Sequence, residues 1–259
     1  MTDPPVRPAK RIVSLVPSVT ESLFCLGLGD RIVGVTDWCV HPSDRVSGLP
    51  RVGGTKNPSV RQILELEPDL VIANREENRE QIVVALRTAG VDVWVTNPRT
   101  VLDGVALLYE LAELGATAEA VESVVRPVEE TVRAAEEQRP ARSLRVFCPI
   151  WKKPWMAVGG GTYASSLLEL CGGANVFADS GDRHYPIVEL EQIVAAAPEI
   201  ILLPSEPYDF GPRDALELAA LTVPAARNGR IHLIDGTLVS WYGPRIEPAI
   251  ATIRTLFFD

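Results

Sequence analysis

No stretch of this chain offers the ~18 uninterrupted apolar residues of a membrane-spanning helix, which excludes a helical transmembrane protein. Positive charge is also in short supply: 25 Lys and Arg stand against 34 Asp and Glu, leaving a net charge of −9. Nucleic acids and anionic membrane surfaces are bound mainly through clustered cations, so neither is expected as a general partner. Histidine is scarce, at three residues, and the four cysteines, at positions 25, 39, 148 and 171, form no C-x-x-C pair. Nothing in that set calls for an oxidising compartment, and a cysteine in an apolar segment is by default a buried thiol. The signatures G-x-S-x-G, H-E-x-x-H and G-x-x-x-x-G-K-[ST] are missing, and the run Gly159 to Gly161 lacks the lysine of a phosphate loop. No catalytic residue, no catalytic cofactor and no metal site is assigned. No leader is expected either: MTDPPVRPAK is short, polar and proline-rich, and the first apolar run, Ile12 to Val16, reads as a strand. The expected compartment is the cytoplasm, with the periplasm or the cell surface as the alternative if an export segment belongs ahead of it.

What is present is an ordinary globular composition, 46% hydrophobic and 23% charged over 259 residues. That length fits one large domain or two of about 120 residues, each able to bury a core. An internal repeat favours two. QILELEPDLVIA, from Gln62 to Ala73, matches QIVAAAPEIILL, from Gln192 to Leu203, without a gap: a helix end, a proline followed by an acid, then an apolar strand. More loosely, LFCLGLGDRIVGV from Leu23 matches LLELCGGANVFA from Leu167. Between the copies, Thr117 to Gln138 carries Ala, Val and Glu at helical spacing. At ~1.5 Å per residue it reaches on the order of 30 Å, enough to tie two lobes together. Pro127 either kinks this helix or begins it, because it lacks an N–H and crowds the preceding turn. The expected organisation is a short N-terminal arm (1–10), an α/β lobe (11–116), the connecting helix (117–139) and a second α/β lobe (140–259).

Within the first lobe the pattern predicts strands at RIVSLVP, RIVGVT, LVIAN and DVWVT. An S-x-x-E box, Ser18 to Glu21, starts the first helix, Ser59 and Gln62 cap the next, and a third runs from about Glu76 to Thr88. In the second lobe the strands are LRVFCPI, NVF, EIILLP and RIHLID; Thr162 caps one helix, another spans Val188 to Ala196, and WKKPWMAVGGG reads as a loop. Strands alternating with helices imply Rossmann-like parallel sheets, whose ligands lie at the carboxyl ends of the strands.

Four of the five tryptophans, Trp38, Trp151, Trp155 and Trp241, fall in such loops, joined by Tyr163, Tyr185, Tyr208, Phe210 and Tyr242, whereas Trp94 lies in a strand and reads as core. So many large apolar groups outside periodic elements favour a shared aromatic pocket over independent caps. Asp37, Cys39 and His41 share a loop and are the candidate metal ligands, though without a second cluster. His184, beside Tyr185, is the candidate axial ligand to a haem. His232 reads as packed in its strand, and Arg75, Glu76 and Arg79 follow a strand where they can meet a polar ligand group or solvent.

RIVSLVPSVTE, GLGDRIVGVTDWCVHP, PSVRQILELEPDLVIA, LLELCGGANVFAD and SWYGPRIEPAI together resemble the periplasmic vitamin B12-binding proteins. Those proteins belong to the receptors for cobalamin, haem and ferric siderophores that serve ABC importers. The resemblance runs in order from about Arg11 to Phe257. It implies two α/β lobes joined by a single long helix, a ligand cleft between them, and a non-catalytic, monomeric protein. The implied ligand is a corrinoid, cobalamin or a precursor; the alternatives are haem, a ferric siderophore, or a cytoplasmic enzyme or carrier reusing the fold. The positions matching the aromatic cleft residues are Trp38, Trp151, Trp155, Tyr185 and Trp241, with Arg75 and Arg183 as donors to the corrinoid amides. Two positions that are often tryptophan in that family hold Thr55 and Asn74. Docking to the importer's membrane subunits there uses a glutamate on each lobe: Glu191 matches the second, while the first falls on Arg61, with Glu65 one turn later. No cysteine follows Cys171, so the disulfide expected of an exported relative cannot form.

Overall fold

The computed structural model describes residues 9–181 and 184–258. The chain forms two compact units: the first takes in the chain as far as Pro98, Gly104–Val128 and Tyr242–Pro244; the second takes in Arg99–Asp103, Glu129–Trp241 and the chain from Arg245 onward. In the first unit, β1 (Ile12–Ser14), β2 (Ile32–Val35), β3 (Leu70–Asn74) and β4 (Val93–Thr96) make a parallel sheet in the order β2-β1-β3-β4. In the second, β5 (Leu144–Phe147) is followed by an antiparallel hairpin of β6 (Pro149–Trp151) and β7 (Met156–Ala157). Then come β8 (Gly173–Asn175), β9 (Ile200–Pro204) and β10 (Ile231–Ile234), which join β5 in a parallel sheet ordered β10-β9-β5-β8. Taken in chain order, each parallel sheet therefore has the same arrangement, second, first, third, fourth.

Helices on the sheet faces explain why β3 and β9 are apolar runs rather than alternating ones, since all five residues of each are buried. The first core gathers Val13, Leu15, Ile63, Val71, Leu86 and Val93 around β1 and β3. The second gathers Phe147, Ile193, Ile201, Leu203, Phe210 and Leu218 around β5 and β9.

The gap-free repeat is one folding device used in both units. Helix Val60–Glu65 leads to β3 and helix Leu190–Ala196 to β9, and each connection passes through a left-handed residue, Glu67 and Ala197, both at φ 46°. In each an arginine from the first strand or the residue ahead of it closes the turn. Arg11 Nε donates to the Glu67 carbonyl at 3.0 Å, and Arg145 Nε to the Ala197 carbonyl at 2.9 Å. The acid after the proline then accepts from that arginine's own backbone: Asp69 from Arg11 at 3.0 Å and Glu199 from Arg145 at 3.1 Å.

The connecting segment is helical from Ala118 to Glu137, but it is not uniform. Ala118–Ala120 is capped by Thr117, Val121–Val125 is a π-helical stretch, and Arg126–Glu137 resumes the α-helix. The widened turns fall just ahead of Pro127, where the missing N–H and the bulk of the ring interrupt the regular ladder.

Several local expectations are corrected. The first helix, Pro17–Cys25, begins with proline at its first turn, and Val16 is the N-cap, so the box at Ser18 does not form; Ser18 is buried inside the helix. The helix expected from Glu76 starts at Glu80, and the one expected from Val188 starts at Leu190. The segment WKKPWMA is not a loop but the β6–β7 hairpin and its turn, and the short strand expected at NVF is Gly173–Asn175.

Candidate functional site

In the first unit the segment after β2 turns at Thr36–Cys39, closed by the Cys39 amide on the Thr36 carbonyl at 3.2 Å. Trp38 rides on this turn with 65% of its surface exposed. Under it, the Cys39 thiol is fully buried, 3.1 Å from both the Thr20 and Thr36 hydroxyls. Burial raises the pKa of that thiol, outweighing the two hydroxyls, so it is a packed group. No group of three His, Cys, Asp or Glu that could hold a metal occurs among the described residues; Cys39 is buried, Asp37 exposed and His41 half-buried. Arg51 reaches the same turn from behind: its Nη1 donates to the carbonyls of Thr36 at 2.8 Å and Cys39 at 2.9 Å, and its Nη2 to that of Val46 at 3.1 Å.

After β3, Asn74 is 5% exposed and engaged by its neighbours. Its Oδ1 accepts from the Glu76 and Glu77 amides at 2.7 and 3.2 Å, and its Nδ2 donates to the Tyr242 hydroxyl at 3.2 Å. This Asx-type turn occupies the residues that the sequence assigns to the start of a helix. Asn78 continues the network by donating to the Thr55 carbonyl at 2.8 Å; Thr55 is half-buried, and Arg75 is exposed. Burial, then the charge of Glu77, holds the Tyr242 hydroxyl well above the ordinary tyrosine range.

In the second unit four rings form a continuous series. Trp151, 43% exposed at the end of β6, meets Tyr208 edge-on at 5.6 Å; Tyr208 lies 4.7 Å from Phe210; and Phe210 stacks on Trp155 at 5.7 Å with 7° between planes. Trp155 itself is 9% exposed and belongs to the core. Lys152, in the hairpin turn, caps that ring with its Nζ 5.1 Å from the centroid. It donates to Asp214 at 2.5 Å and Glu217 at 2.7 Å on the helix Pro212–Ala219. Burial opposes the charge on Lys152, but the two carboxylates outweigh it and raise its pKa. Asp214 is likewise pushed up by burial, yet the Gly211 amide and Lys152 bring it below its ordinary value.

Trp241 is also turned inward. Its Nε1 donates to Glu206 at 2.6 Å, and the Arg245 guanidinium lies 4.9 Å above its ring. Gly236 permits this arrangement, because a Cβ there would lie 2.4 Å from the Glu206 backbone nitrogen. Tyr185 is half-buried, and Arg183 lies outside the described residues. His184 uses both ring nitrogens: Nδ1 faces the Gly160 carbonyl at 3.2 Å, and Nε2 meets the Arg99 guanidinium. His232 is half-buried in β10; burial, then Arg230, lowers its pKa, and its Nε2 is buried without a partner among the described residues.

The proposed docking residues are exposed and occupy matching places in the repeat. Glu191 lies in the first turn of Leu190–Ala196, whereas Arg61 in Val60–Glu65 pairs with Glu65 at 2.8 Å. Sequence reasoning missed Arg51, Lys152, Asp214 and Glu217, because a cation serving carbonyls or an internal acid pair leaves no local pattern.

The model of the family described as "periplasmic binding protein" matches residues 12–238. The chain belongs to that family. It is 30% identical over 250 residues to the vitamin B12-binding protein of Vibrio cholerae, covering 96% of this chain and 89% of the relative. The crystal structure of the periplasmic vitamin B12-binding protein of Vibrio cholerae superposes with a TM-score of 0.83 at 25% identity, over 96% of this chain and 97% of that one. A periplasmic haem-binding protein from Roseiflexus sp. RS-1 gives 0.80 at 25% identity, over 97% and 98%. The fold is thus the two-lobed α/β fold of these receptors, and the protein is a non-catalytic solute-binding protein. Membership overturns the cytoplasmic expectation: the family is periplasmic, and the N-terminal composition on which that expectation rested does not reveal the compartment.

Proposed function

We propose that the protein binds a corrinoid, cobalamin or a precursor, and hands it to the membrane subunits of an ABC importer. Trp38 and Trp151 supply the flat apolar contacts, and Arg75, with Arg183, serves the amide periphery. The observation that carries this reading is that each unit presents one exposed tryptophan from an ordered segment at the carboxyl end of its strands. Burying a broad macrocycle against such rings at ~25 cal/mol per Å² supplies the larger part of the affinity. The relatives named for vitamin B12 support the ligand. Haem is the second reading, favoured by the haem-binding neighbour. Against it, His184 would have to surrender the Arg99 contact to bind iron. Glu191 is the docking acid of the second unit, and Glu65, tied to Arg61, is the nearest acid in the first.

The test is a titration with cobalamin, cobinamide and haem, followed by tryptophan fluorescence and by co-elution of the ligand's visible absorbance on a sizing column. One-to-one binding of a corrinoid at micromolar concentration or below is expected, with a weaker or absent Soret shift for haem. Binding of haem alone, with a shift lost in His184→Ala, would replace the corrinoid by the second reading.

A further inference from the structure

We infer that Arg51 and Lys152 are positioning residues, each an internal cation that holds one exposed tryptophan in its binding-ready orientation in the ligand-free protein. The inference deepens the proposed function and rests on it for the role of the two tryptophans.

Of the five tryptophans only Trp38 and Trp151 are exposed, at 65% and 43%. An exposed indole on a mobile segment loses rotational freedom on binding, which costs affinity; one already fixed does not. The segment that carries each of them is pinned from behind by a cation that does not itself face solvent freely. Arg51 is the hub of the Trp38 turn. Its Nη1 bonds the carbonyls of Thr36 and Cys39, the first and last residues of the turn, and its Nη2 bonds Val46 at the far end of the segment. The planar fork of a guanidinium can serve three carbonyls in fixed directions, which a lysine ammonium in the same place does far less well. Burial of the Cys39 thiol beneath the turn leaves the segment no room to slide inward.

Lys152 follows Trp151 directly and is 11% exposed at its side chain. Asp214 and Glu217, one turn apart on Pro212–Ala219, hold its ammonium, and the face of Trp155 covers it. The hairpin turn is thereby pinned to a helix, while Tyr208 supports the Trp151 ring from the side. The two units reach the same end by different chemistry, a carbonyl-bound arginine in one and an acid-bound lysine in the other. Neither cation points freely at a ligand: Arg51 directs three of its N–H groups at carbonyls, and Lys152 is paired with two acids.

The experiment uses the full chain labelled with 5-fluorotryptophan, whose five resonances are assigned by single Trp→Phe changes. Without ligand, Arg51→Met should shift and sharpen the Trp38 resonance toward that of a free indole while leaving Trp151 in place; Lys152→Met should do the converse. Cobalamin affinity should fall roughly 3- to 10-fold in each variant, the range expected for freeing one ordered side chain. In a Trp38→Ala background Arg51→Met should cost nothing further, and likewise Lys152→Met in Trp151→Ala, because each cation acts through its tryptophan. Thermal unfolding is followed in parallel; Arg51→Lys replaces an Arg51→Met that does not fold, and Lys152→Gln, which removes the charge, replaces a Lys152→Met that does not fold. Arg51→Lys should reproduce the loss, whereas Lys152→Arg, which keeps two ion pairs, should largely restore binding. Resonances that do not move would overturn the inference, as would an affinity loss that persists undiminished after the tryptophan is removed. If the wild-type chain binds no cobalamin the corrinoid reading fails, and the ligand-free fluorine arm still decides whether the cations hold the rings.

Discussion

The two units share a sheet order, a left-handed turn and an arginine that closes it, yet they present their exposed tryptophans in unlike ways. In the first, the outer edge of β2 is closed by the return of the chain at Arg51, which pairs with Val35, and Trp38 projects from a single turn beside that closure. In the second, the chain inserts a hairpin directly after β5 and Trp151 projects from its first strand. The repeated parts are those that backbone physics dictates: strand order, turn conformation, satisfaction of the carbonyls at the helix end. The divergent parts lie at the carboxyl ends of the strands, where loops are free to vary because the sheet is already held.

The sharpest way to break this comparison is through the tryptophan that faces inward. Trp155 stacks on Phe210 within the second core, so Trp155→Ala should destabilise the protein by about 3–5 kcal/mol, as for a large core aromatic, and lower Tm by several degrees. Chemical denaturation followed by circular dichroism measures this directly. A loss of ligand affinity at unchanged stability would instead place Trp155 on the binding surface, and the contrast drawn between it and Trp151 would fall. The surface pair should behave in the opposite sense. Trp38→Ala and Trp151→Ala should each cost about 1–3 kcal/mol of corrinoid binding by calorimetry. Their unfolding midpoints should stay close to that of the parent, because 65% and 43% of the rings' surface is already exposed. Equal losses would show that the two rims share the ligand evenly, and a loss confined to one would assign the ligand's apolar face to that unit.

These outcomes bear on how much the sequence discloses. The architecture was legible because helix end, proline, acid and buried strand recur position for position, and each type has the same task in both copies. Burial of Trp94 followed from its place in an apolar strand. Side-chain direction at the rims was not legible. Trp151 and Trp155 are four residues apart in one aromatic stretch, and only the hairpin, whose strands of three and two residues are too short to show a period, turns one outward and the other into the core. Asn74 entered the candidate set through the resemblance alone, at a position that is often tryptophan in that family. In the fold its amide organises the turn at Glu76 and Glu77, a local competition between side chain and backbone that composition does not resolve. Ser18 failed as a cap for a related reason: Pro17 already fixes the first turn of the helix, which leaves Ser18 inside it.

The smallest predicted effect probes the repeat itself. Glu67 and Ala197 hold φ 46°, a conformation that costs an L-residue roughly 1–2 kcal/mol and a glycine nothing. Glycine also gives the unfolded chain more freedom, which takes back about 0.4–1 kcal/mol. Glu67→Gly and Ala197→Gly should therefore each stabilise the protein by about 0.5–1 kcal/mol, measured by urea denaturation at unchanged m-value. The two gains should agree, since each residue is held by an arginine Nε at nearly the same distance, 3.0 and 2.9 Å. A gain in one unit and a loss in the other would mean that the side chain of Glu67 or Ala197 makes a stabilising contact of its own, so that the turns match in conformation and differ in energetics.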